Sequence, residues 1–458
     1  MSFVPHSATD RAEMLRAVGV DRMDDLYTDI PDALRLGRPL DLPDPLSEWE
    51  AARRLAELAD ANFVGSCFAG GGMYDHYTPA ALDHLIRRSE FYTAYTPYQP
   101  EVSQGTLQTI YEFQTLVCEL TGMHVANASI YDGASATAEA ALMAMAVTGR
   151  DRLVVAGSLH PHYLGVVETY TSGQESEIVH VPAGADGLLD SGAVTEILDD
   201  ATAAVVVQNP NFFGAIEPLE QLAEAAHGAG ALLVVAVPDA ISLGLLRTPG
   251  ECGADIVASE GQAFGIPPSF GGPVVGLFAS RDKFVRRMPG RIVGATVDEE
   301  GRRGYVLTLQ TREQQIRRAK ATSNICTNQG LFALAATIHL TLLGPEGLRT
   351  VAETSVRNAY YARDRLVESG VELLFPDAPF FREFAVRVPD SRETLARGLE
   401  RGILAGVSLA RFPGAEGDGL LLAFTEKHVK ADIDALVETI AETSGGEATE
   451  SAAASAAR

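Results

Sequence analysis

The chain has 458 residues, 46% of them hydrophobic and 21% charged, which gives a globular protein with at least one large core and room for a second, smaller one. Its 36 Lys+Arg against 61 Asp+Glu leave a formal charge of -25. That balance repels nucleic acid and anionic membrane and favours solubility through a hydrated acidic surface.

Four residues are lysine, Lys283, Lys320, Lys427 and Lys430, so arginine carries nearly all the positive charge. Such a chain suits a high-salt cytoplasm, where screening tolerates a dense negative surface, and equally an ordinary bacterium with an acidic proteome. Cys67, Cys118, Cys252 and Cys326 are widely spaced without a CxxC pair. A disulfide framework and a zinc knuckle are therefore not expected, and reduced, buried thiols are. The N-terminus lacks an apolar signal core, and no run of about 18 apolar residues stands out. The expectation is a soluble cytoplasmic protein.

In chain order, residues 1–60 read as short helices broken at prolines, an arm or cap, with Thr9 as N-cap of a helix through Val18. NFVGSCFAGGG then interrupts regular structure before a helical run, TPAALDHLIRRSEF. From about 106 to 290 amphipathic helices alternate with RLVVAG, EIVHVP, AAVVVQ, LLVVAV, ADIVAS and PVVGLFA. Runs apolar on both faces, separated by helices, require a mostly parallel sheet covered on both sides. The large α/β domain is placed at 61–330. Long helical stretches follow, then REFAVRVP, GLLLAF and a closing helix, a smaller C-terminal α/β domain over 331–443. Residues 444–458 are read as a disordered tail.

No G-x-G-x-x-G follows the first strands, so a dinucleotide is not indicated. Gly133, Ala134 and Ser135 open a strongly helical run, where backbone N–H groups and the helix dipole can hold a phosphate. Small residues beginning a helix are common without one. Asp239 ends a buried strand, the usual ligand end of an open α/β sheet. A carboxylate there needs a cation. In pyridoxal-phosphate enzymes of the aminotransferase-like fold an aspartate at this place pairs with the pyridinium nitrogen; the competing reading is a turn or capping aspartate. The Schiff-base lysine expected after the next strand is absent from EGQAFGIPPSFGGP. Lys283 reads as a surface position and Lys320 lies too far along the chain. A covalent link on this chain is not expected.

At this point EFYTAYTPYQPEVSQGTLQTIYEFQTLVCELTGM (90–123), QNPNFFGAIE, EGQAFGIPPSFGGPVVGLFA and GRIVGATVDEEGRRGYVLTLQTREQQIRRAKATSNICTNQ (290–329) resemble the P-protein family of glycine decarboxylase, in its subunit 1 form. The likeness extends from DRAEMLRAVGVDRMDDLYTDIP to TEKHVKADIDALVE, nearly the whole chain. It implies a fold type I pyridoxal-phosphate transferase architecture. The lysine-bearing form of the family carries the motif H-K-T-F where this chain has Gly261, Gln262, Ala263 and Phe264, so the anchor lysine falls on Gln262.

The resemblance implies subunit 1 of a glycine dehydrogenase (decarboxylating) in the glycine cleavage system. Pyridoxal phosphate is expected to be bound covalently by the partner, P-protein subunit 2. Glycine loses carbon dioxide, and the aminomethyl group passes to the lipoamide arm of H-protein. T-protein and dihydrolipoyl dehydrogenase complete the system, and a heterotetramer is implied. Tyr95, Thr96, Tyr98 and Gln104 are the candidates for a shared site, because phenols and an amide bind carboxylate or phosphate. Ser135, His160, Asp239 and Gln262 are the candidates for a vestigial cofactor pocket. His160 and His162 have no third ligand at metal spacing, and no metal is expected. Two rival readings remain: a stand-alone pyridoxal-phosphate lyase using a lysine such as Lys320, and a purely scaffolding pseudoenzyme subunit. The arginine-rich 281–318 region is a candidate docking surface for H-protein.

Overall fold

The computed structural model describes residues 5–62, 65–92, 94–412 and 419–445. The chain divides into two compact units, 1–63 and 64–458. In the first, α1 (Ala8–Val18) and α2 (Glu48–Asp60) each begin at a capping box, Ser7 with Asp10 and Ser47 with Glu50. Ser7, not Thr9, is thus the first cap. Its hydroxyl accepts from Asp10 N–H and the Asp10 carboxylate accepts from Ser7 N–H, so two orphan donors are satisfied reciprocally.

The second unit runs through β1 (Ser66–Cys67), α3 (Ala80–Ile86), α4 (Gln104–Thr121), β2 (Val125–Ala126), α5 (Gly133–Thr148), β3 (Arg152–Ala156), α6 (Pro161–Thr171), β4 (Glu177–Val181) and α7 (Ser191–Ile197). It continues with β5 (Thr202–Gln208), α8 (Leu219–Gly228), β6 (Leu232–Val237), β7 (Ile256–Glu260) and β8 (Gly276–Ser280). The six apolar runs of the sequence are all strands. They form a seven-stranded sheet in the order β2-β8-β7-β6-β5-β3-β4, parallel except at β8 and β2. Alternate residues serve opposite faces, as strand geometry demands. Val205, Val207, Leu233, Val235 and Val237 enter one core, and Ala204, Val206, Leu232, Val234 and Ala236 the other. Both faces are covered, which is why these strands read as continuous apolar runs. α5 lies on the second core with Ala136, Ala138, Ala140, Ala141 and Ala144 fully buried. Methyl-sized side chains let it approach the sheet closely.

A hairpin of β9 (Ile292–Val297) and β10 (Arg303–Thr308) follows, then the one-turn α9 (Gln314–Arg317) and the long α10 (Gly330–Glu368). α10 is broken at Gly344, φ 61 and ψ -178, beside Pro345. By length and composition it is apolar enough to cross a membrane, and half of its most apolar window is buried inside the protein. The sequence expectation of no such stretch is amended accordingly. A small antiparallel sheet of β11 (Glu383–Arg387), β14 (Gly419–Ala423) and β13 (Val407–Ser408) packs with α11 (Ser391–Glu400) and α12 (Lys430–Thr443). Its core joins Phe384, Leu420, Leu422 and Phe424 to Leu366 of α10 and Leu436 of α12. β1 pairs in parallel with β12 (Ile403–Leu404), so the 66–67 segment is held against the C-terminal region. The tail reading falls almost entirely on residues outside those described. Among the thiols, Cys67, Cys118 and Cys252 are half-buried but Cys326 is exposed, a correction to the expectation of buried cysteines.

Candidate functional site

Asp239 caps the end of β6, and its Oδ1 accepts from the Ile241 N–H at 3.2 Å. Its cation is internal. Arg382, immediately before β11 and fully buried, donates through Nε (2.5 Å) and Nη2 (2.8 Å) to the two carboxylate oxygens. This is a bidentate fork, the strongest form of the pair. The Arg382 guanidinium lies 3.9 Å from the Tyr74 ring centre, a close cation–π stack in a desolvated site. Tyr74 donates its hydroxyl proton to Glu383 at 2.9 Å.

His76 completes the cluster. Arg382 Nη1 lies 2.9 Å from His76 Nε2, and His76 Nδ1 lies 2.7 Å from Glu426. A guanidinium has no lone pair to offer, so Nε2 accepts and Nδ1 carries the proton donated to Glu426. Burial, with Arg382 beside it, pushes the His76 pKa down. Glu426 would be raised by its own burial, but His76 and the Tyr77 N–H draw it down to about 2. The network therefore holds a neutral imidazole against an ionised carboxylate.

Gln262, on the position of the missing lysine, is 1% exposed. Its Oε1 accepts from Tyr74 N–H (3.0 Å), and its Nε2 donates to the carbonyls of Tyr74 (3.0 Å) and Ile266 (2.6 Å). The amide clamps the strap that carries Tyr74 onto Arg382. His160 is 6% exposed; its Nδ1 accepts from His162 N–H and its Nε2 donates to the Gly71 carbonyl at 2.8 Å. Burial lowers its pKa to about 4, so it is neutral. Its ring meets Phe212 edge-on, 5.0 Å between centres.

At the start of α5 two of the three candidate phosphate-binding residues, Gly133 and Ser135, are already engaged. Ser135 N–H and Oγ donate to Asp132 at 2.7 and 3.0 Å, and Gly133 N–H donates to Glu260 at 2.9 Å. Two carboxylates of this chain thus occupy the helix N-terminus that an anion would need. Glu260 also accepts from Gln262 N–H, which joins this corner to the rest of the pocket. Among Tyr74, Asp239, Arg382 and Glu383 a void of about 10 Å³ remains. That is about one water, against the roughly 300 Å³ or more of a small-molecule site. The residues present do not make an anchor for pyridoxal phosphate: Gln262 stands where the lysine would be, Arg382 pairs with Asp239, and Gly133 and Ser135 already donate to carboxylates of this chain.

Sequence reasoning missed Arg382, Tyr74, His76 and Glu383. The available signal was FFREF, an adjacent Arg382–Glu383 pair inside an apolar strand run, where charge survives only when paired. Burial raises Glu383 to about 7 and Glu260 to about 8. Both native values lie above the unfolded carboxyl range, so ionisation favours the unfolded chain. The stability held by protonated Glu383 and Glu260 is complete below about pH 4.5 and is lost as the pH rises through about 7 and 8. Glu383→Gln keeps an acceptor for Gly71 N–H and is expected to flatten this fall. Urea unfolding at about pH 5.5 and about pH 8.5 checks it, and equal slopes for variant and wild type would count against it.

The second candidate group lies elsewhere. Tyr95 is 88% exposed and lines an open groove of about 420 Å³ with Tyr92, Thr327, Asn328, Gln329 and Leu331. Thr96 is half-buried, and its carbonyl accepts from Tyr98 N–H at 2.9 Å. Tyr98 is half-exposed, and its oxygen accepts from Arg291 and Gln315. Gln104 is committed: its amide exchanges two 2.9 Å hydrogen bonds with the Tyr305 backbone and donates to the Pro100 carbonyl. It extends β10 as a strand neighbour would, and of the four candidates Tyr95 alone lines the groove.

A family profile described as "Glycine cleavage system P-protein" matches residues 1–440. The chain belongs to the glycine cleavage system P-protein family. A relative from Thermomicrobium roseum, named probable glycine dehydrogenase (decarboxylating) subunit 1, is 54% identical over 96% of this chain and 99% of its own. One from Carboxydothermus hydrogenoformans with the same name is 51% identical, over 96% and 99%. Among solved structures, an inhibitor-bound glycine decarboxylase (P-protein) is 46% identical, superposes with a TM-score of 0.87, and covers 97% of this chain and 100% of its own. A Burkholderia pseudomallei sphingosine-1-phosphate lyase, 17% identical with a TM-score of 0.67 over 93% and 97%, shares the fold. The P-protein architecture is thus that of fold type I pyridoxal-phosphate enzymes. In this P-protein chain Gln262 stands at the lysine position and Asp239 is paired with Arg382.

Proposed function

We propose that this chain is the lysine-less half of a two-chain, cytoplasmic glycine decarboxylase, and that it works with a lysine-bearing P-protein subunit as a heterotetramer of two of each. The single observation that carries the reading is the missing anchor: Gln262 stands, clamped to Tyr74, on the lysine position, while Arg382 neutralises Asp239. The partner then holds pyridoxal phosphate, whose chemistry is that of an electron sink for loss of carbon dioxide from glycine. This chain contributes the groove around Tyr95, where exposed phenols and the Thr327 hydroxyl offer donors to an anionic group. The aminomethyl product passes to the lipoyl arm of H-protein, and T-protein and dihydrolipoyl dehydrogenase act downstream.

The test is an absorption spectrum and borohydride reduction of the purified chain with pyridoxal phosphate, alone and then mixed with the lysine-bearing subunit. The chain alone is expected to stay colourless and unlabelled, with label and glycine decarboxylation appearing only in the mixture. A reducible label on the lone chain would overturn the reading and return Lys320 to consideration.

A further inference from the structure

Two segments meet beside the groove: the turn that carries Tyr95, which lines it, and Tyr98, which does not, and the stretch 326–329 leading into α10, whose Thr327, Asn328 and Gln329 line it. They are far apart in sequence and meet at one side chain. Arg291, at the foot of β9 and 5% exposed, donates through Nη1 to Thr327 Oγ1 (3.0 Å) and Asn328 Oδ1 (3.3 Å). Through Nη2 it donates to the Cys326 carbonyl (2.8 Å) and the Tyr98 oxygen (3.3 Å). Its guanidinium also lies 5.6 Å from the Tyr98 ring centre. One planar fork therefore holds three successive residues of one segment and the phenol of the other.

The counter-ion is modest for such a burial. Glu313 lies 3.5 Å from Nε, both side chains are below a tenth exposed, and Nε itself makes no hydrogen bond. An arginine kept dry with a donor unmatched costs free energy, and nothing in the core requires it. What it does is local. The backbone leading to it is itself pinned, since Arg312 donates to the Gly290 carbonyl at 3.0 Å.

The Tyr98 oxygen accepts from Arg291 and, at 3.1 Å, from Gln315 Nε2. A phenol has two acceptor lone pairs and one O–H donor. Both lone pairs are engaged, and among the described residues no acceptor takes the proton. Half-exposed, the hydroxyl is left to donate outward, to water or to a group brought to this surface.

We propose that Arg291 is a positioning residue: it fixes the 95–98 turn to the 326–329 segment beside the groove and, with Gln315, holds the half-exposed Tyr98 hydroxyl as an outward donor toward a carboxylate or other anionic oxygen of a substrate or partner. The inference rests on the shared-site reading given above. Lysine at 291 keeps the charge but not the fork, and phenylalanine at 98 removes only the donor.

The experiment uses the complex reconstituted with the lysine-bearing subunit, with its assembly checked by sedimentation, and hydrogen exchange on the chain alone. In Arg291→Lys, exchange is expected to rise together in peptides covering 92–100 and 322–330 and nowhere else. In the complex, Arg291→Lys and Tyr98→Phe are each expected to lower kcat/KM for glycine about 10-fold, the value of one positioned hydrogen bond. The double variant is expected to lose no more than the worse single, because the two act as one unit. Gln315→Ala, which leaves Arg291 in place but also removes a hydrogen bond to Glu313, is expected to follow in the same direction with a smaller loss, and it serves if Arg291→Lys does not fold. Protection of either segment unchanged in Arg291→Lys, or losses that multiply in the double variant, would overturn the proposal. A fully active Tyr98→Phe in an intact complex would instead remove the shared-site reading, while jointly loosened segments would still support Arg291 as the residue that positions them.

Discussion

Replacing Arg382 by alanine is expected to destabilise the chain by about 3–5 kcal/mol, the usual cost of leaving one buried charge without its partner. The side chain is fully buried and serves three neighbours at once: both oxygens of Asp239, the face of Tyr74 and Nε2 of His76. Its loss strands Asp239, 5% exposed, and removes the charge that defines the His76 tautomer. A compensated pair discriminates charge from packing. Arg382→Met with Asp239→Asn removes both charges and keeps an amide oxygen for the Ile241 N–H, so most of the loss is expected to return. Urea unfolding of wild type, single and double variants decides it. A single variant within about 1 kcal/mol of wild type would show that the buried pair is not what holds this region.

Putting a lysine back at 262 is expected to fail as a restoration of cofactor binding and to cost at least about 2 kcal/mol. Gln262 meets Tyr74 with an acceptor and a donor at once, and an ammonium can only donate. Tyr74 N–H is then orphaned in a dry site, and an ammonium must be buried where a neutral amide stood. Gln262→Lys incubated with pyridoxal phosphate and borohydride is therefore expected to remain unlabelled and to unfold at lower urea than wild type. Yellow, labelled protein would show that the Tyr74 strap opens readily and that the lysine alone was missing.

These two results turn on side chains that differ in how far the sequence exposed them. Asp239 was legible because its position follows from strand order, a carboxylate closing LLVVAV at the ligand end of a parallel sheet; the lack of a lysine after ADIVAS was legible in the same way, and the resemblance to the family placed that gap on Gln262. Ser135 was legible as a helix start, but not its occupation. Asp132 and Glu260 reach the free N–H groups of α5 from a neighbouring turn and a strand about 127 residues away in sequence, as the Gly133–Glu260 bond records. Gln104 looked like a binding amide because residue type carries no information on what lies opposite, and only the pairing of α4 with β10 brings Tyr305 to it. The β9–β10 hairpin escaped the reading of elements because its outer half is exposed and its residues alternate weakly.

The sequence by itself determined the layers of the fold, since apolar periodicity of two and near-continuous buried runs admit little besides a covered parallel sheet. It also determined the family and the absence of a lysine where a covalent anchor would stand. Only the tertiary structure decided that Gln262 is clamped to Tyr74, that Arg382 meets Asp239, and that Arg291 ties two distant segments. Each of these is a pairing of charges or donors across many tens of residues. Such a pairing is set by distances of about 3 Å in the packed interior, a quantity that composition and local periodicity do not contain.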